Sequence, residues 1–271
     1  MSVPDFPSSF VLLQQEGFLI GSTLALGLTE LRAAHVQNKG AFYSALLNLS
    51  VGFERLLKAM VIIDHMLKNQ LSAPSKKELQ QRGHNVVELC DECATIALER
   101  GMEPVAFENL DYIDQALLTL LSDFAKVTRY HNLDALSASQ SGSDPLREWS
   151  RIILEILRED ATQREKQKVV AQGAFVAQAI DGMTITIMHG LDQAPLSTSQ
   201  AITLPGLHQC AVKYAVYRLV RIIARYREII GALSEQAYTL GLDVPPFPQM
   251  NEFLQWAWDD RAYALRKKRW P

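Results

Sequence analysis

Cysteine is scarce in this 271-residue chain, which has only Cys90, Cys93 and Cys210. Three thiols are too few, and odd in number, for the disulfide framework of a small secreted domain. The first residues, Met-Ser-Val-Pro-Asp-Phe-Pro, also lack the basic start of a signal peptide. We therefore expect a protein of a reducing compartment and predict a cytoplasmic location.

Long hydrophobic runs and an excess of basic charge are missing as well. The most apolar stretch, residues 18–31, is interrupted by glycine, threonine and glutamate. It is also shorter than the roughly 20 residues that a membrane-spanning helix needs, so no membrane span is expected. The formal net charge of −3 provides no overall attraction for a polyanion, and any nucleic-acid site must be a local patch.

Several catalytic motifs are absent from the sequence. It contains no Walker loop, no G-x-G-x-x-G, no H-E-x-x-H and no G-x-S-x-G. This argues against the common nucleotide hydrolases, dehydrogenases, zinc peptidases and serine hydrolases. Cys90 and Cys93 have C-x-x-C spacing, but no second pair completes the four ligands of a structural zinc site. We interpret them as buried thiols and predict neither a metal nor a cofactor.

What the chain does have is helical periodicity almost throughout. Hydrophobic residues make up 48% and charged residues 21%, which is the balance of a globular protein. Apolar positions recur at helical spacing and no strand is predicted, so the fold class is all-α. Breaks are expected at residues 72–75, 204–206 and 244–248. The predicted helices cover approximately residues 9–34, 41–69, 84–100, 109–129, 145–160, 163–190, 207–241 and 253–263.

A serine-rich segment, residues 137–145, is the clearest linker in the chain. It divides the sequence into a helical bundle over residues 1–136 and a helical C-terminal region over residues 146–271. That region ends in the basic tail 266–271, Arg-Lys-Lys-Arg-Trp-Pro. The sequence leaves open whether the C-terminal helices form a second bundle or pack on the first.

Polar residues recur in a recognisable order on the N-terminal helices. Glu54 and Lys58 are one helical turn apart, Gly83-His84-Asn85 precedes a helix, and Arg129-Tyr130 ends a long one. Each has an ordinary explanation, respectively a border salt bridge, a capping turn and a cation at a helix C-terminus. Each also has a functional one, because a histidine near a helix N-terminus and an exposed guanidinium both suit phosphate.

Taken together, Gly52-Phe53-Glu54-x3-Lys58, Gly83-His84-x4-Leu89 and Arg129-Tyr130 resemble the HEPN superfamily, the higher eukaryote and prokaryote nucleotide-binding domains. The resemblance covers about residues 41–136. It implies a compact up-and-down helical bundle, here with a C-terminal helical extension, and a homodimer with functional residues near the seam. It also implies either an RNA-cleaving toxin or defence component, or a non-catalytic protein that binds nucleotides or partner proteins.

The sequence departs from the ribonuclease branch of that family, in which a histidine follows an arginine after four to six residues. The nearest substitute is Lys126-x4-His131, with Arg129 inside it. RNA cleavage through a 2′-hydroxyl needs a general base and a group that stabilises the phosphate. In the RNA-cleaving alternative the protein is a metal-independent endoribonuclease in which Arg129 holds a phosphate, His131 is the general base and Lys126 is an electrostatic stabiliser. The predicted supporting polar cluster consists of Glu54, Lys58, His84 and Tyr130.

A second candidate surface lies on the last long helix. Arg218, Arg221 and Arg225 share a stripe, with Tyr214 one turn before it. The stripe is either a solvated face or a phosphate-tracking surface with an aromatic ring for stacking. Three functions therefore remain: an RNA- or nucleotide-acting protein of toxin–antitoxin or antiphage defence, a non-catalytic helical adaptor that binds a helical protein partner, and an RNA-binding subunit without chemistry.

Overall fold

The computed structural model describes residues 5–102, 109–137, 142–180, 183 and 186–271. Within these residues it contains ten α-helices and no strand, which confirms the all-α fold class. The helices are α1 (Ser8–Ala33), α2 (Lys39–Lys68), α3 (Lys76–Gln81), α4 (Val86–Glu99), α5 (Tyr112–Lys126), α6 (His131–Leu136), α7 (Pro145–Glu159), α8 (Gln163–Ile180), α9 (Thr198–Tyr238) and α10 (Arg261–Arg266). Two short 3-10 helices cover Thr128–Tyr130 and Met250–Leu254.

Helices α1 and α2 form a long antiparallel pair that meets through glycines. A Cβ atom added at Gly27 would lie 2.9 Å from the backbone nitrogen of Leu49, and one at Gly52 would lie 3.1 Å from that of Leu24. Such distances are shorter than ordinary van der Waals contacts, so both positions require the absence of a side chain. The glycines therefore allow the two backbones to approach closely, and the second of them lies two residues before Glu54.

Both halves of the chain contribute to one hydrophobic core. Helix α9 contacts α1, α2, α5, α7, α8 and α10. Its buried Tyr226 belongs to the same cluster as Phe53 of α2, Phe124 of α5 and Trp149 of α7. Of the two arrangements that the sequence leaves open, the structure has the one in which the C-terminal helices pack on the first half. The core also takes in Cys90 and Cys93, so the prediction of buried thiols is confirmed.

The helix predictions fail at three places. A proline was expected to separate helices at residues 204–206, but α9 runs through Pro205. A capping box formed by Ser197 and Gln200 starts the helix at Thr198, before the proline is reached. Residues 186–190, expected in a helix, are non-helical, and His189 pairs with Pro195. The aromatic helix predicted at 253–263 is instead a 3-10 helix followed by α10, which Asp260 caps by accepting from the Tyr263 amide at 2.9 Å.

The basic tail is docked at its end. Trp270 is only 7% exposed, and its backbone N–H donates to Thr29 Oγ1 at 2.9 Å. This contact anchors the tail to α1, which restricts the positions that its basic side chains can reach. The linker predicted at 137–145 lies partly outside the described residues, at 138–141. The division of the chain at that linker stays a prediction.

Helix α1 is the one described helix that is long and apolar enough to cross a membrane. Its residues Leu24 and Leu28 are fully buried, and it packs along α2. A core helix of a soluble protein passes the same test of length and composition. The described chain therefore has no clear membrane span, and the cytoplasmic location stays a prediction.

Candidate functional site

A cleft of about 460 Å³ with charged side chains on largely apolar walls opens on the N-terminal half of the molecule. Four of the residues from the ordered polar pattern line it, which are Glu54, Lys58, His84 and Arg129. They come from α2, from the turn before α4 and from the 3-10 helix after α5. The structure thus brings together side chains that are up to 75 residues apart in the sequence (129 − 54). We call this cavity the polar cleft.

The backbone around His84 explains how the imidazole reaches the cleft. Gly83 has a φ of +56°, in the left-handed region that glycine adopts without strain. Asn85 then precedes α4, but its side chain does not cap the helix. Instead, Ser122 Oγ of α5 accepts from the Val86 amide at 3.1 Å and donates to Asn85 Oδ1 at 2.7 Å. This bridge fixes the start of α4, and with it the position of His84, relative to α5.

Glu54 is the centre of the charge pattern in the cleft. It accepts from Lys58 Nζ at 2.8 Å, and both of its oxygens lie 3.0 Å from His84 Nδ1. The predicted salt bridge between Glu54 and Lys58 is therefore confirmed. The ordinary explanation of Gly83-His84-Asn85 as a capping turn is wrong, because the Asn85 side chain does not cap α4 and the imidazole bonds to a carboxylate. The Glu54 side chain is 16% exposed and that of His84 is 64% exposed, so the pair spans from the wall of the cleft to solvent.

This geometry has a chemical consequence for the imidazole. A carboxylate can only accept hydrogen bonds, so Nδ1 of His84 carries the proton that Glu54 receives. In the neutral ring, Nε2 then has a free lone pair. A histidine that a carboxylate orients through Nδ1 is the arrangement of a general base.

Arg129 brings an uncompensated positive charge to the cleft. Its side chain is exposed, and its guanidinium lies 5.2 Å from the centre of the Tyr130 ring. No carboxylate pairs with it among the described residues. By contrast, Arg55 on the same rim pairs with Glu16 of α1 at 2.6 Å. Arg129 is therefore the cation of the cleft that is available to an anionic ligand.

His131 and Lys126 do not join Arg129 at the cleft. The His131 Nδ1 atom bonds to the Gly142 carbonyl at 2.9 Å, and Lys126 lies 3.7 Å from Asp123. Helix α5 ends at Lys126, and the 3-10 helix that follows redirects the chain. Neither side chain lines the cleft. The geometry therefore does not assemble the predicted set of Arg129, His131 and Lys126. Tyr130 is 55% exposed beside Arg129 and also does not line the cleft.

The arginines of α9 do not form the expected stripe on the surface. Arg218 is only 7% exposed, and its guanidinium lies 2.6 Å from Asp111, 2.9 Å from Asp114 and 2.7 Å from Asp160. Arg221 also pairs with Asp114. These five residues are the arginine cluster, which joins α9 to α5 and to the end of α7. The guanidinium groups of Arg218 and Arg221 already pair with carboxylates and are not available to a phosphate. Of the three predicted arginines, only Arg225 is exposed.

Tyr214, the predicted stacking aromatic, is also internal. It is 4% exposed, and its hydroxyl donates to Glu165 of α8 at 2.9 Å. Lys213 pairs with the same carboxylate. Burial alone would raise the pKa of Glu165, but the hydrogen bonds from Lys213, from the Thr162 backbone and from Tyr214 lower the pKa to about 2. Burial raises the pKa of Tyr214 to about 12, with Glu165 adding to the effect.

We expect this carboxylate to make the stability of the protein depend on pH in the acid range. The ordinary pKa of a glutamate here is 4.5, so the stabilising effect is complete above that pH and is lost as pH falls toward about 2. Glu165→Gln should therefore lower the urea midpoint at pH 6 and have a smaller effect at pH 3. Glu228→Gln, at an exposed position on α9, is the control. An equal effect of Glu165→Gln at both pH values would contradict this prediction.

Two residues of the cleft were not predicted from the sequence. Arg55 adjoins Glu54, and Glu16 pairs with it from α1, so both side chains of this ion pair line the cleft. No local pattern marks Glu16, because its partner is 39 residues away on another helix. Only the antiparallel packing of α1 on α2 brings the two together.

No protein-family model, curated protein or solved structure matches this chain.

Proposed function

We propose that this protein binds RNA at the polar cleft and cleaves it there, as a HEPN-like endoribonuclease. The observation that supports the proposal is that Glu54, Lys58, His84 and Arg129 line one cleft, although three separate parts of the chain provide them. The volume of about 460 Å³ lies in the range of small-ligand sites, roughly 300–1,000 Å³. The resemblance to the family rests on the same residues and supplies the type of reaction.

Each side chain has a role in this reaction. Arg129 holds a non-bridging oxygen of one phosphate, because it is the cation of the cleft that no described carboxylate pairs with, and Lys58, paired with Glu54, adds positive charge nearby. Nε2 of His84 takes the proton of the adjacent 2′-hydroxyl, whose oxygen attacks phosphorus. The bond to the 5′-oxygen breaks, and that oxygen takes up a proton from solvent or from the imidazolium. The products are a 2′,3′-cyclic phosphate and a 5′-hydroxyl. Glu54 orients the imidazole and stabilises its positive charge.

Replacing His84 tests the chemistry directly. We expect His84→Ala to lower the rate of cleavage of a fluorescent single-stranded RNA by about 10²–10⁴-fold, which is the usual contribution of a general base. The assay is run in EDTA, since no step of the proposal uses a metal. Arg129→Ala should raise the RNA concentration needed for half-maximal rate. Melting temperatures should change little in both variants, because both side chains are exposed.

His131→Ala is the matched control, because it removes a histidine that the sequence favours but the cleft does not contain. Its activity should equal that of the wild type. If His131→Ala abolishes cleavage and His84→Ala does not, the roles assigned to the cleft are wrong. A wild-type protein that cleaves no RNA of any sequence tested contradicts the catalytic part of the proposal.

Binding without cleavage is tested separately by fluorescence anisotropy. The wild type could bind an RNA oligonucleotide without cleaving it. If the affinity then falls steeply as the salt concentration rises, the protein is an RNA-binding subunit. Arg129→Ala should then weaken the binding, because Arg129 is the free cation of the cleft.

A second candidate function is a non-catalytic adaptor, which one observation favours. Leu12, Leu19 and Leu26 are spaced by seven residues on α1 and are 63%, 48% and 49% exposed. Such a row suits packing against another helix. In this case Glu54 and Lys58 only stabilise the fold. The wild type should then cleave no RNA, and Glu54→Gln should have a lower melting temperature than the wild type.

The setting of the protein follows from the family that it resembles. We propose a cytoplasmic homodimer that acts in a bacterial toxin–antitoxin or antiphage defence system. Sedimentation of the purified chain tests the dimer, and the α1 variant Leu19→Lys tests whether the row of leucines forms its seam.

A further inference from the structure

A group of exposed basic side chains lies at α10 and in the basic tail. Its members are Arg261, Arg266, Lys268 and Arg269, and none of them forms an ion pair with a carboxylate of the described residues. Trp258, which is 55% exposed, comes shortly before them in the chain. We call these five residues the basic ridge. None of them lines the polar cleft, and the proposed reaction does not use them.

The charge of this segment is opposite to that of the whole chain. Residues 258–271 have five cationic side chains and two carboxylates, a net charge of +3, whereas the full sequence has −3. Both carboxylates already accept hydrogen bonds at 2.9 Å, Asp259 from the Tyr217 hydroxyl and Asp260 from the Tyr263 amide. The exposed cations therefore form a local positive patch on a protein that is acidic overall.

The chain that carries these cations is held in place. The buried Trp270 donates its backbone N–H to Thr29 of α1 at 2.9 Å. The half-buried Lys267 donates to the Tyr263 hydroxyl, and its ammonium lies 5.9 Å from the centre of the Trp270 ring. Helix α10, about 9 Å long, connects this anchor to Arg261. Because the backbone is already ordered, an anionic ligand loses less entropy in binding here than on a loose tail.

Trp258 presents a fixed aromatic ring to solvent. The guanidinium of Arg227 lies 3.8 Å from the centre of its indole and donates to the Ala257 carbonyl at 3.1 Å. Arg227 therefore covers one face of the ring, and the exposed remainder is available for stacking. Cations that meet phosphates, together with an aromatic ring that stacks on a base, are the usual elements of a site for single-stranded nucleic acid.

Other polyanionic partners fit this surface less well. A membrane surface is bound by cations together with several apolar side chains that enter the lipid. In residues 250–271, all of which the structure describes, Trp258 is the one large apolar side chain that is exposed. A nucleic-acid duplex hides the faces of its bases, so the ring favours a single strand.

We propose that the basic ridge is a second RNA site, which binds the phosphates of a single strand and stacks one base on Trp258. The choice of RNA rests on the proposed function. The ridge is separate from the cleft, because Thr29, where the tail is anchored, lies about 20 Å along α1 from Glu16 of the cleft. An RNA that occupies both sites must therefore be several nucleotides long.

The salt dependence of RNA affinity tests the cationic part of the ridge. Fluorescence anisotropy follows a labelled oligoadenylate of about 20 nucleotides, and all variants carry His84→Ala so that the strand stays intact. Each phosphate contact of a single strand contributes about −0.7 to the slope of log affinity against log salt. The triple variant Arg266→Gln, Lys268→Gln and Arg269→Gln should therefore flatten the slope by about 2, which is about 100-fold in affinity near 0.1 M salt.

The matched control removes the same charge elsewhere. Arg147→Gln, Lys168→Gln and Arg225→Gln together replace three exposed cations of α7, α8 and α9, and the slope should stay that of the parent. Melting temperatures should be alike in both triple variants, because all six side chains are exposed. Equal slopes in the two triple variants would overturn the proposal.

Replacing Trp258 tests the stacking part. Trp258→Ala should weaken the oligoadenylate by about 5–150-fold, the usual effect of losing one stacked base, at an unchanged salt slope. A ribose-phosphate strand of the same length without bases is the second probe, and its affinity should not change. An equal effect on both probes, or none on either, would overturn the proposal. So would ridge-dependent binding to phosphatidylserine vesicles without binding to oligoadenylate.

The outcome is independent of the reaction proposed at the cleft. If the wild type cleaves no RNA but the triple variant of the ridge loses affinity as expected, the proposed function alone is contradicted. If the wild type cleaves RNA through His84 and the two triple variants bind alike, the basic ridge alone is contradicted.

Discussion

Replacing Arg218 with methionine is expected to lower the free energy of unfolding by about 3–5 kcal/mol, the usual cost of removing one partner of a buried ion pair. Its guanidinium contacts three carboxylates on two other segments of the chain. Methionine fills a similar volume but removes the cation that these carboxylates share. Asp114 keeps its pair with Arg221, but its side chain is 1% exposed and cannot turn to water to replace the lost contact. Urea denaturation measures the loss as a lower midpoint at an unchanged slope.

Arg225→Met is the matched control on the same helix. This arginine is exposed, so its replacement should change the stability by no more than about 0.5 kcal/mol. Arg218→Lys should be nearly as harmful as Arg218→Met, since an ammonium group cannot bridge three carboxylates as a planar guanidinium does. A loss below 1 kcal/mol for Arg218→Met would show that solvent reaches the arginine cluster, contrary to its burial.

The second large effect is expected where α1 crosses α2. Gly27→Ala and Gly52→Ala should each lower the free energy of unfolding by about 1–3 kcal/mol through overpacking. A Cβ at either position would lie 2.7 Å from a leucine Cγ on the facing helix, and the backbone behind it leaves little room to retreat. Because one outward shift of α1 relieves both clashes, the double variant should cost less than the sum of the two single variants.

Gly40→Ala is the control for the crossing. It lies on α2 as Gly52 does, but the nearest atom to its added Cβ is Asn38 Oδ1 at 3.7 Å, an ordinary contact. Alanine is also the better helix former, so this variant should be as stable as the wild type or up to about 1 kcal/mol more stable. If Gly40→Ala lowers the stability as much as Gly52→Ala does, the loss does not come from the close packing of α1 on α2.

Periodicity was sufficient to predict most helices, because the apolar faces of α1, α2, α4, α5 and α7 repeat at helical spacing. The start of α9 was missed because a capping box at Ser197 outweighs the local signal of Pro205. Periodicity also assigned Arg218 to a polar face of α9. It could not show that the face meets carboxylates more than 50 residues away, at Asp111, Asp114 and Asp160.

The same limit applies to the polar cleft. The order of Glu54, Lys58, His84 and Arg129 along the chain drew attention to them, but only the packing of three segments shows that they share a cavity. His131 was favoured because it is close to Arg129 in sequence. Helix α5 ends at Lys126, Val127 is not helical, and a 3-10 helix precedes α6, so spacing along one ideal helix cannot represent this stretch.

The glycine crossing also lies on the helix that connects two cavities. Glu16 of α1 lines the polar cleft, and Val36, just beyond the C-terminal end of α1, lines a second cavity of about 270 Å³ beside α7 and α9. These residues are about 30 Å apart at the rise of a straight helix. With its middle clamped against α2 at Gly27 and Gly52, the helix has little freedom to bend. We therefore expect a displacement at one of its ends to reach the other as tilt or translation rather than to be absorbed by bending.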